Sequence, residues 1–168
     1  MQQNARLAAR SAEREAGEVV LTEEMRRMVD DGLGFVATVN DDGTPNLSPK
    51  GTLAVWDDLR LVFADIASPN TSTNVERGSA VELNVVDPLI RRGYRFSGVA
   101  DVHRGGDLFE AGLAFYEQRG TVRPRDRIRA IVIVTVSRVR PIRSPAYALG
   151  ATEEELRAKY RRLLLDDP

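Results

Sequence analysis

The chain of 168 residues has no cysteine and one histidine, His103. Without thiols there is no disulfide, no thiolate nucleophile, no iron–sulfur cluster and no cysteine zinc site. One imidazole excludes a multi-histidine metal centre and a His-Glu-x-x-His helix. Lysine is nearly missing too: of 24 basic residues only Lys50 and Lys159 are not arginine. Aromatics make up 6%. No apolar run approaches the ~20 residues a membrane helix needs. The first 18 residues are polar and charged, with no apolar stretch of signal-peptide type. A cytoplasmic protein without a membrane partner is expected. Lys+Arg 24 against Asp+Glu 25 leaves a formal charge of -1, so bulk charge supplies no general affinity for nucleic acid.

What is present fits a folded domain: 42% hydrophobic and 29% charged residues. At this length about 70% of the unfolded surface can be buried, which suits one core and not two. Residues 1–20 carry charges but no sustained apolar face and read as an N-terminal extension. Residues 21–168 read as a single domain ending in a helix.

Thr22 is placed to cap a helix, with Glu23 and Glu24 in its first turn and Gly32 to stop it at C′. From Leu33 the apolar period becomes two. The tetrad Asn40-Asp41-Asp42-Gly43 supplies a hairpin turn. The second strand, over 44–55, contains Pro45, Pro49 and Gly51, so it must be an edge, bulged or interrupted. Further strands are expected over 59–64, 80–86, 94–103 and 128–139. Short helices are expected over 71–77 and 107–118, the second covering an open barrel end. Thr152-x-x-Glu155 is a capping box for a last helix with Leu156, Tyr160, Leu163 and Leu164 as its buried stripe. Six short strands with hairpin turns predict a mainly β fold, a small antiparallel barrel.

Two segments carry the polar chemistry. Asn46, Ser48, Lys50 and Thr52 share one face by the period of two, offering an amide, hydroxyls and a cation to a polyoxygenated anion. The same pattern serves as an edge strand guarded by Pro and Lys. Ser68, Asn70, Thr71, Ser72 and Asn74 crowd the start of a short helix, which is either a phosphate site or simple N-capping. Both segments flank the third strand and can converge on one ligand. Elsewhere, Gly32-x-Gly34-x-x-Ala37 is no dinucleotide fingerprint, because a helix precedes it and a strand follows. Arg91, Arg92 and Arg95 cluster near the fifth strand. Arg123, Arg125, Arg127 and Arg129 alternate, but without the interleaved aromatics of a single-strand binder, so a solvated face is preferred. His103 is a haem ligand, a proton donor or an ordinary rim residue; no Gly-x-Ser-x-Gly elbow accompanies it.

In order, the chain presents Gly34-Phe35-Val36-Ala37-Thr38-Val39, Asp42-Gly43-Thr44-Pro45-Asn46, Ser48-Pro49-Lys50-Gly51, Leu61-Val62-Phe63-Ala64-Asp65, Ser68-x-x-Thr71-Ser72-x-Asn74, Val81-Glu82-Leu83-Asn84-Val85 and Gly93-Tyr94-Arg95-Phe96-x-Gly98. This series resembles the pyridoxamine 5′-phosphate oxidase-like family of FMN-binding split barrels, over about residues 22–139. The resemblance implies a six-stranded antiparallel split β-barrel that forms a two-fold homodimer with FMN at the interface. It implies a flavin-dependent oxidoreductase acting on a small-molecule substrate. By position, the cofactor would be held by Asn46, Ser48, Pro49, Lys50 and Thr52, and by Asp65, Ser68, Thr71, Ser72 and Asn74. The partner subunit would close the flavin from the region of Tyr94 and Arg95. The family's oxidase carries Ser-Arg-Lys in its phosphate loop and a C-terminal Trp-Gly and Arg-Leu signature. Here the loop reads Asn70-Thr71-Ser72 and that signature is absent, so pyridoxamine phosphate is not the expected substrate. Relatives that use a deazaflavin or bind haem supply the alternatives: a deazaflavin-dependent reductase, or a non-catalytic flavin- or haem-binding protein.

Overall fold

The computed structural model describes residues 19–120 and 127–165. Nearly all of the N-terminal extension, and Arg123 and Arg125, lie outside them. Helix α1 (Glu23–Asp31) starts at Thr22, whose hydroxyl accepts from the Met25 N–H at 3.3 Å. It stops at Gly32, whose φ is -90°, so no left-handed residue ends it. Glycine is needed there for space: a Cβ would lie 2.5 Å from the Met28 carbonyl oxygen and 2.7 Å from Val85 Cγ1. Strand β1 (Leu33–Val39) then runs into the expected turn, where Gly43 takes φ 82°.

The strands after it are β2 (Pro45–Pro49), β3 (Ala54–Val55), β4 (Arg60–Asp65), β5 (Val81–Asp87), β6 (Arg92–His103) and β7 (Ala130–Arg143). They form one antiparallel sheet in the order β2–β1–β5–β6–β7–β4–β3. The strand count is seven where six were expected, and the segment 44–55 makes the difference. Pairing with β1 ends at Phe35↔Pro49; the chain turns, and Ala54 and Val55 pair with β4 instead. The turn follows Pro49, beyond which the Lys50 N–H still donates to the Gly34 carbonyl at 2.9 Å. β2 and β3 are therefore the two edges of the sheet, joined by residues 50–53. So short a link spans at most about 17 Å. The sheet must curl until its edges nearly meet, which makes it a barrel split between β2 and β3.

Alternation divides the side chains between two cores. Val36, Leu61, Phe63, Leu83, Phe96, Val132 and Val134 fill the interior, joined by Val29 of α1 and Val75 of α2 (Pro69–Glu76). Val62, Ala64, Ile131 and Ile133 point the other way, against Leu113 and Tyr116 of α3 (Asp107–Gln118). Helix α3 thus covers the outer face of β4 and β7 rather than a barrel end. Both faces of β7 are buried over its first half, which explains its unbroken apolar run. Opposite Ser97 and Gly98 of β6 the register shifts, because β7 carries an extra residue, Ser137; a Cβ on Gly98 would sit 2.1 Å from the Thr135 carbonyl oxygen.

A short 3-10 turn (Pro145–Leu149) leads to α4 (Glu153–Leu164), closed at its start by the Thr152/Glu155 capping box. Its expected stripe is largely unmet. Leu156 is buried, but Leu163 and Leu164 are exposed, and Tyr160 stacks under Arg91. The first half of the helix docks through Arg92–Glu153 and Arg157–Asp87, and in the second half Leu164 lines an open groove with Val86, Pro88 and Ile142.

Candidate functional site

Where β1 leaves β5, after Ala37↔Glu82, helix α2 comes down against the sheet. A polar network replaces the apolar core at this point. Thr38, opposite Asn46 in the β1–β2 register, is 3% exposed. Its Oγ1 accepts from the side-chain amides of Asn46 and Asn74, each at 3.0 Å. The Asn46 amide also donates to Thr71 Oγ1 at 3.1 Å, and that of Asn74 to Asn40 Oδ1 at 2.8 Å. One end of α2 is thereby stapled to the β1–β2 hairpin. A groove of about 420 Å³, lined by Asn40, Asn70, Thr73, Asn74 and Arg77 among others, adjoins this network.

The other end is held by Asp65, the last residue of β4. Its carboxylate accepts from the Ser68 N–H at 3.0 Å, the Ser68 hydroxyl at 3.1 Å and the Ser72 hydroxyl at 2.6 Å. Ser68 is the N-cap of α2, yet its side chain makes no capping bond to the helix. The hydroxyl is turned to Asp65 instead, so simple capping does not account for it. Lys50 arrives from the break after β2. It is 6% exposed, donates to Ser48 Oγ at 2.9 Å and to Ser68 Oγ, and lies 5.2 Å from the centre of the Phe63 ring.

Burial pulls the Lys50 ammonium below its ordinary pKa, against the opposing field of Asp65. Burial alone would raise Asp65. The Ser72 hydroxyl, the Ser68 N–H and hydroxyl and the charge of Lys50 outweigh it, and the carboxyl is held below its ordinary value. Lys50 and Asp65 thus face each other with one hydroxyl, that of Ser68, between them.

Of the residues singled out from sequence, Asn46, Ser48, Lys50, Asp65, Ser68, Thr71, Ser72 and Asn74 come together here, with Pro49 at the break. Thr52 does not join them. Beyond Gly51 its hydroxyl donates to the Ala64 carbonyl at 3.2 Å and accepts from the Ala64 N–H at 3.0 Å. Tyr94 and Arg95 lie on β6, bonded to no member of the cluster within one chain. Tyr94 packs toward α1, where burial first, and then Glu24, raise its pKa. Arg95 is exposed on the outer face with Glu82 at 2.9 Å and Asn84 at 3.1 Å. The arginines near it do not form one patch: Arg92 bonds Glu24 and Glu153, while Arg91 stacks on Tyr160. His103 ends β6 opposite Ile131, with no bond to the cluster among the described residues. Thr38 and Asn40 are members that the sequence did not single out. Their signal was the hairpin register, which sets Thr38 across from Asn46.

Chemically, the cluster offers hydroxyl, amide and ammonium donors beside a helix start. Asn46, Ser48 and Ser68 are half-buried, and Lys50, Asp65, Thr71, Ser72 and Asn74 are buried.

A sequence model of the family described as pyridoxamine 5′-phosphate oxidase matches residues 21–143. A search of the curated proteins finds no match. Among solved structures, HupZ from Group A Streptococcus is 30% identical, with 73% of this chain and 94% of that one covered and a TM-score of 0.65. An FMN-binding protein from Syntrophomonas wolfei is 12% identical, covering 85% and 97%, with a TM-score of 0.60. An F420 reductase is 22% identical, covering 71% and 98%, with a TM-score of 0.55. The last two share the fold.

Proposed function

We propose, from the premise that this chain belongs to the pyridoxamine 5′-phosphate oxidase family, that it is a flavin-binding oxidoreductase holding FMN in the cradle of Ser48, Lys50 and Ser68. The observation that carries this is Lys50: an ammonium almost wholly buried, fixed between two hydroxyls at the start of α2. Asp65 offsets its charge across the Ser68 hydroxyl, and the remaining donor of Lys50 fits an oxygen of a ribityl-phosphate tail. The ammonium has three N–H groups, and Ser48 and Ser68 use two. In the first turn of α2, Pro69 has no N–H and the Thr71 N–H is taken by the Ser68 carbonyl at 3.1 Å, which leaves the Asn70 N–H for an anion. The residues present therefore fit the group.

A bound flavin would supply the hydride and electron transfer that no side chain here provides. The chain's own part is to bind and orient. Lys50 and Ser48 would bond the tail, Asn46 would fix its polyol, and the Asn74–Thr38–Asn46 bridge would keep α2 at its distance from β2. No acid or base is assigned, and the substrate is a small molecule whose identity is left open.

A second copy of the chain would complete the cleft. On the outer face of β1 and β2, Leu47 is 65% exposed, Val39 49% and Leu33 48%, with Phe35, Ala37, Pro45 and Pro49 beside them. The Asn84 and Arg95 row continues the same face. A two-fold pairing there would bury the apolar strip and bring Arg95 of one protomer to its partner.

The test is the visible spectrum of freshly purified protein and titration with FMN. Flavin absorbance, or saturable FMN binding that Lys50→Ala weakens by about tenfold or more, is expected, as for loss of a charge-assisted bond. Protein that is colourless and indifferent to added FMN would refute the proposal.

A further inference from the structure

Asp65 sits inside the cradle, 1% exposed, and its charge opposes that of Lys50 across the Ser68 hydroxyl. Arg104, whose charge also reaches Asp65, is tied to Glu76 at 2.8 Å. Among the described residues, Lys50 and Arg104 thus stand against Asp65 and Glu76, and these four charges cancel. Two of the hydroxyls are committed in the same sense: Ser68 and Ser72 give their protons to Asp65, while Ser48 Oγ accepts from Lys50. A terminal phosphate monoester carries about 1.5 to 2 negative charges at pH 7. Set beside a buried carboxylate that already offsets Lys50, it gains little and meets repulsion at short range. A tail with one negative charge, or none, fits the same donors without that opposition.

Resting on the flavin-binding proposal above, we infer that Asp65 is a specificity-determining residue: it cancels the charge of Lys50 and tunes the cradle to a flavin tail bearing at most one negative charge. The terminal phosphate of FMN then adds little affinity over the bare ribityl chain of riboflavin. Removing the carboxylate charge while keeping its shape converts the cradle into a phosphate-selecting site. Asp65→Asn does this, since the amide oxygen can still accept from Ser68 and the amide nitrogen can donate to Ser72 Oγ. Ser72→Ala is the counterpart: it removes one bond to Asp65 and leaves the charge.

The experiment titrates riboflavin and FMN into the wild-type protein and both variants by flavin fluorescence, at about 50 and about 300 mM NaCl. In the wild type, FMN is expected to bind less than about tenfold tighter than riboflavin, with a ratio nearly flat in salt. Asp65→Asn should raise that ratio by about tenfold or more and make it fall with salt. Ser72→Ala should change both affinities together and leave the ratio alone, which a purely structural role for Asp65 would not separate from Asp65→Asn. A wild-type ratio above about tenfold with a steep salt dependence overturns the inference, and so does an unchanged ratio in Asp65→Asn. If Asp65→Asn does not fold, the wild-type ratio and its salt dependence decide alone. Wild-type protein that binds neither flavin overturns the flavin proposal itself, and the role of Asp65 with it; binding of both with no selectivity change overturns the inference only.

Discussion

Thr38 is the residue on which the two ends of the polar network lean, and replacing it by valine isolates one oxygen atom. Its hydroxyl accepts from Asn46 and from Asn74, each at 3.0 Å. Thr38→Val keeps the volume and the β-branch and deletes that acceptor. Asn74 is 3% exposed, so its stranded N–H cannot reach water, and a buried unsatisfied donor costs about 1–3 kcal/mol. Asn46 is half-buried and can recruit a water, so it belongs at the low end of the same range. The sum is about 2–4 kcal/mol. For a protein of this length each kcal/mol moves the melting temperature by about 2–4 °C, so the loss should be roughly 5–15 °C. Differential scanning calorimetry measures it, and urea unfolding with an unchanged m-value shows that the folded state alone has been weakened. Thr38→Ser is the control: it keeps the acceptor and gives up one buried methyl, about 1 kcal/mol. If Thr38→Val melts within about 1 °C of the wild type, or if Thr38→Ser is equally damaged, the oxygen is not what joins α2 to the hairpin.

The titrations of Asp65 and Lys50 set opposite limbs of the stability curve. Asp65 is held below its ordinary 3.8 by bonds that outweigh its burial, so its contribution is present above that pH and lost as pH falls from 3.8 toward the folded value. Urea unfolding below pH 5 should show a shallower acid loss in Asp65→Asn, with Asp57, shifted the same way, keeping part of the slope. Lys50 is lowered by burial, so stability should rise with pH between its folded value and 10.5, and Lys50→Met should abolish that rise. An acid limb identical in Asp65→Asn would refute the assignment. In α4, Leu156 is the buried residue and the ion pairs around it are half-exposed, each worth about 0–1 kcal/mol. Leu156→Ala should therefore speed hydrogen exchange throughout α4 while β5, β6 and β7 stay protected; equal loss of protection in barrel and helix would show that α4 is part of the cooperative core.

Local rules made much of the fold legible. Thr22, the Asn40–Gly43 turn and the Thr152/Glu155 box act within a few residues of themselves, and each element begins where its cap lies. An edge or interrupted strand at Pro45 and Pro49 was legible for the same reason, since a proline lacks a ladder donor in any tertiary context. The extra strand was not, because whether Ala54 and Val55 pair depends on β4 being there to receive them. The last helix shows the converse. Leu163 and Leu164 have the spacing of a buried stripe, but a stripe is buried only where a surface packs closely on it, and here both leucines stay exposed. Within the site, the residue types and their convergence were legible. Which way each hydroxyl points was not: Ser68 was placed as a cap or a phosphate ligand, and only the position of Asp65 turns it away from the helix.

The break between β2 and β3 does two things at once, and they are physically one. A split sheet has two edges, and each exposes unpaired backbone groups that invite pairing with another chain. Pro45 and Pro49 remove donors from one edge, which blunts it, and beyond them residues 51–53 lie in no ladder. Backbone freed in this way must be satisfied elsewhere or the segment will move. Here the partners are fixed ones. The Lys50 N–H donates to the Gly34 carbonyl at 2.9 Å, and the Thr52 carbonyl accepts from the Tyr116 hydroxyl at 2.7 Å. The Thr52 hydroxyl bridges both backbone groups of Ala64. The link is thus anchored to β1, α3 and β4 together, and its one long side chain, Lys50, is held pointing into the cradle. A lysine on a free loop would spend ordering entropy on each ligand it met. This one has been ordered in folding, so its charge, and the carboxylate that offsets it, act on a ligand from fixed positions.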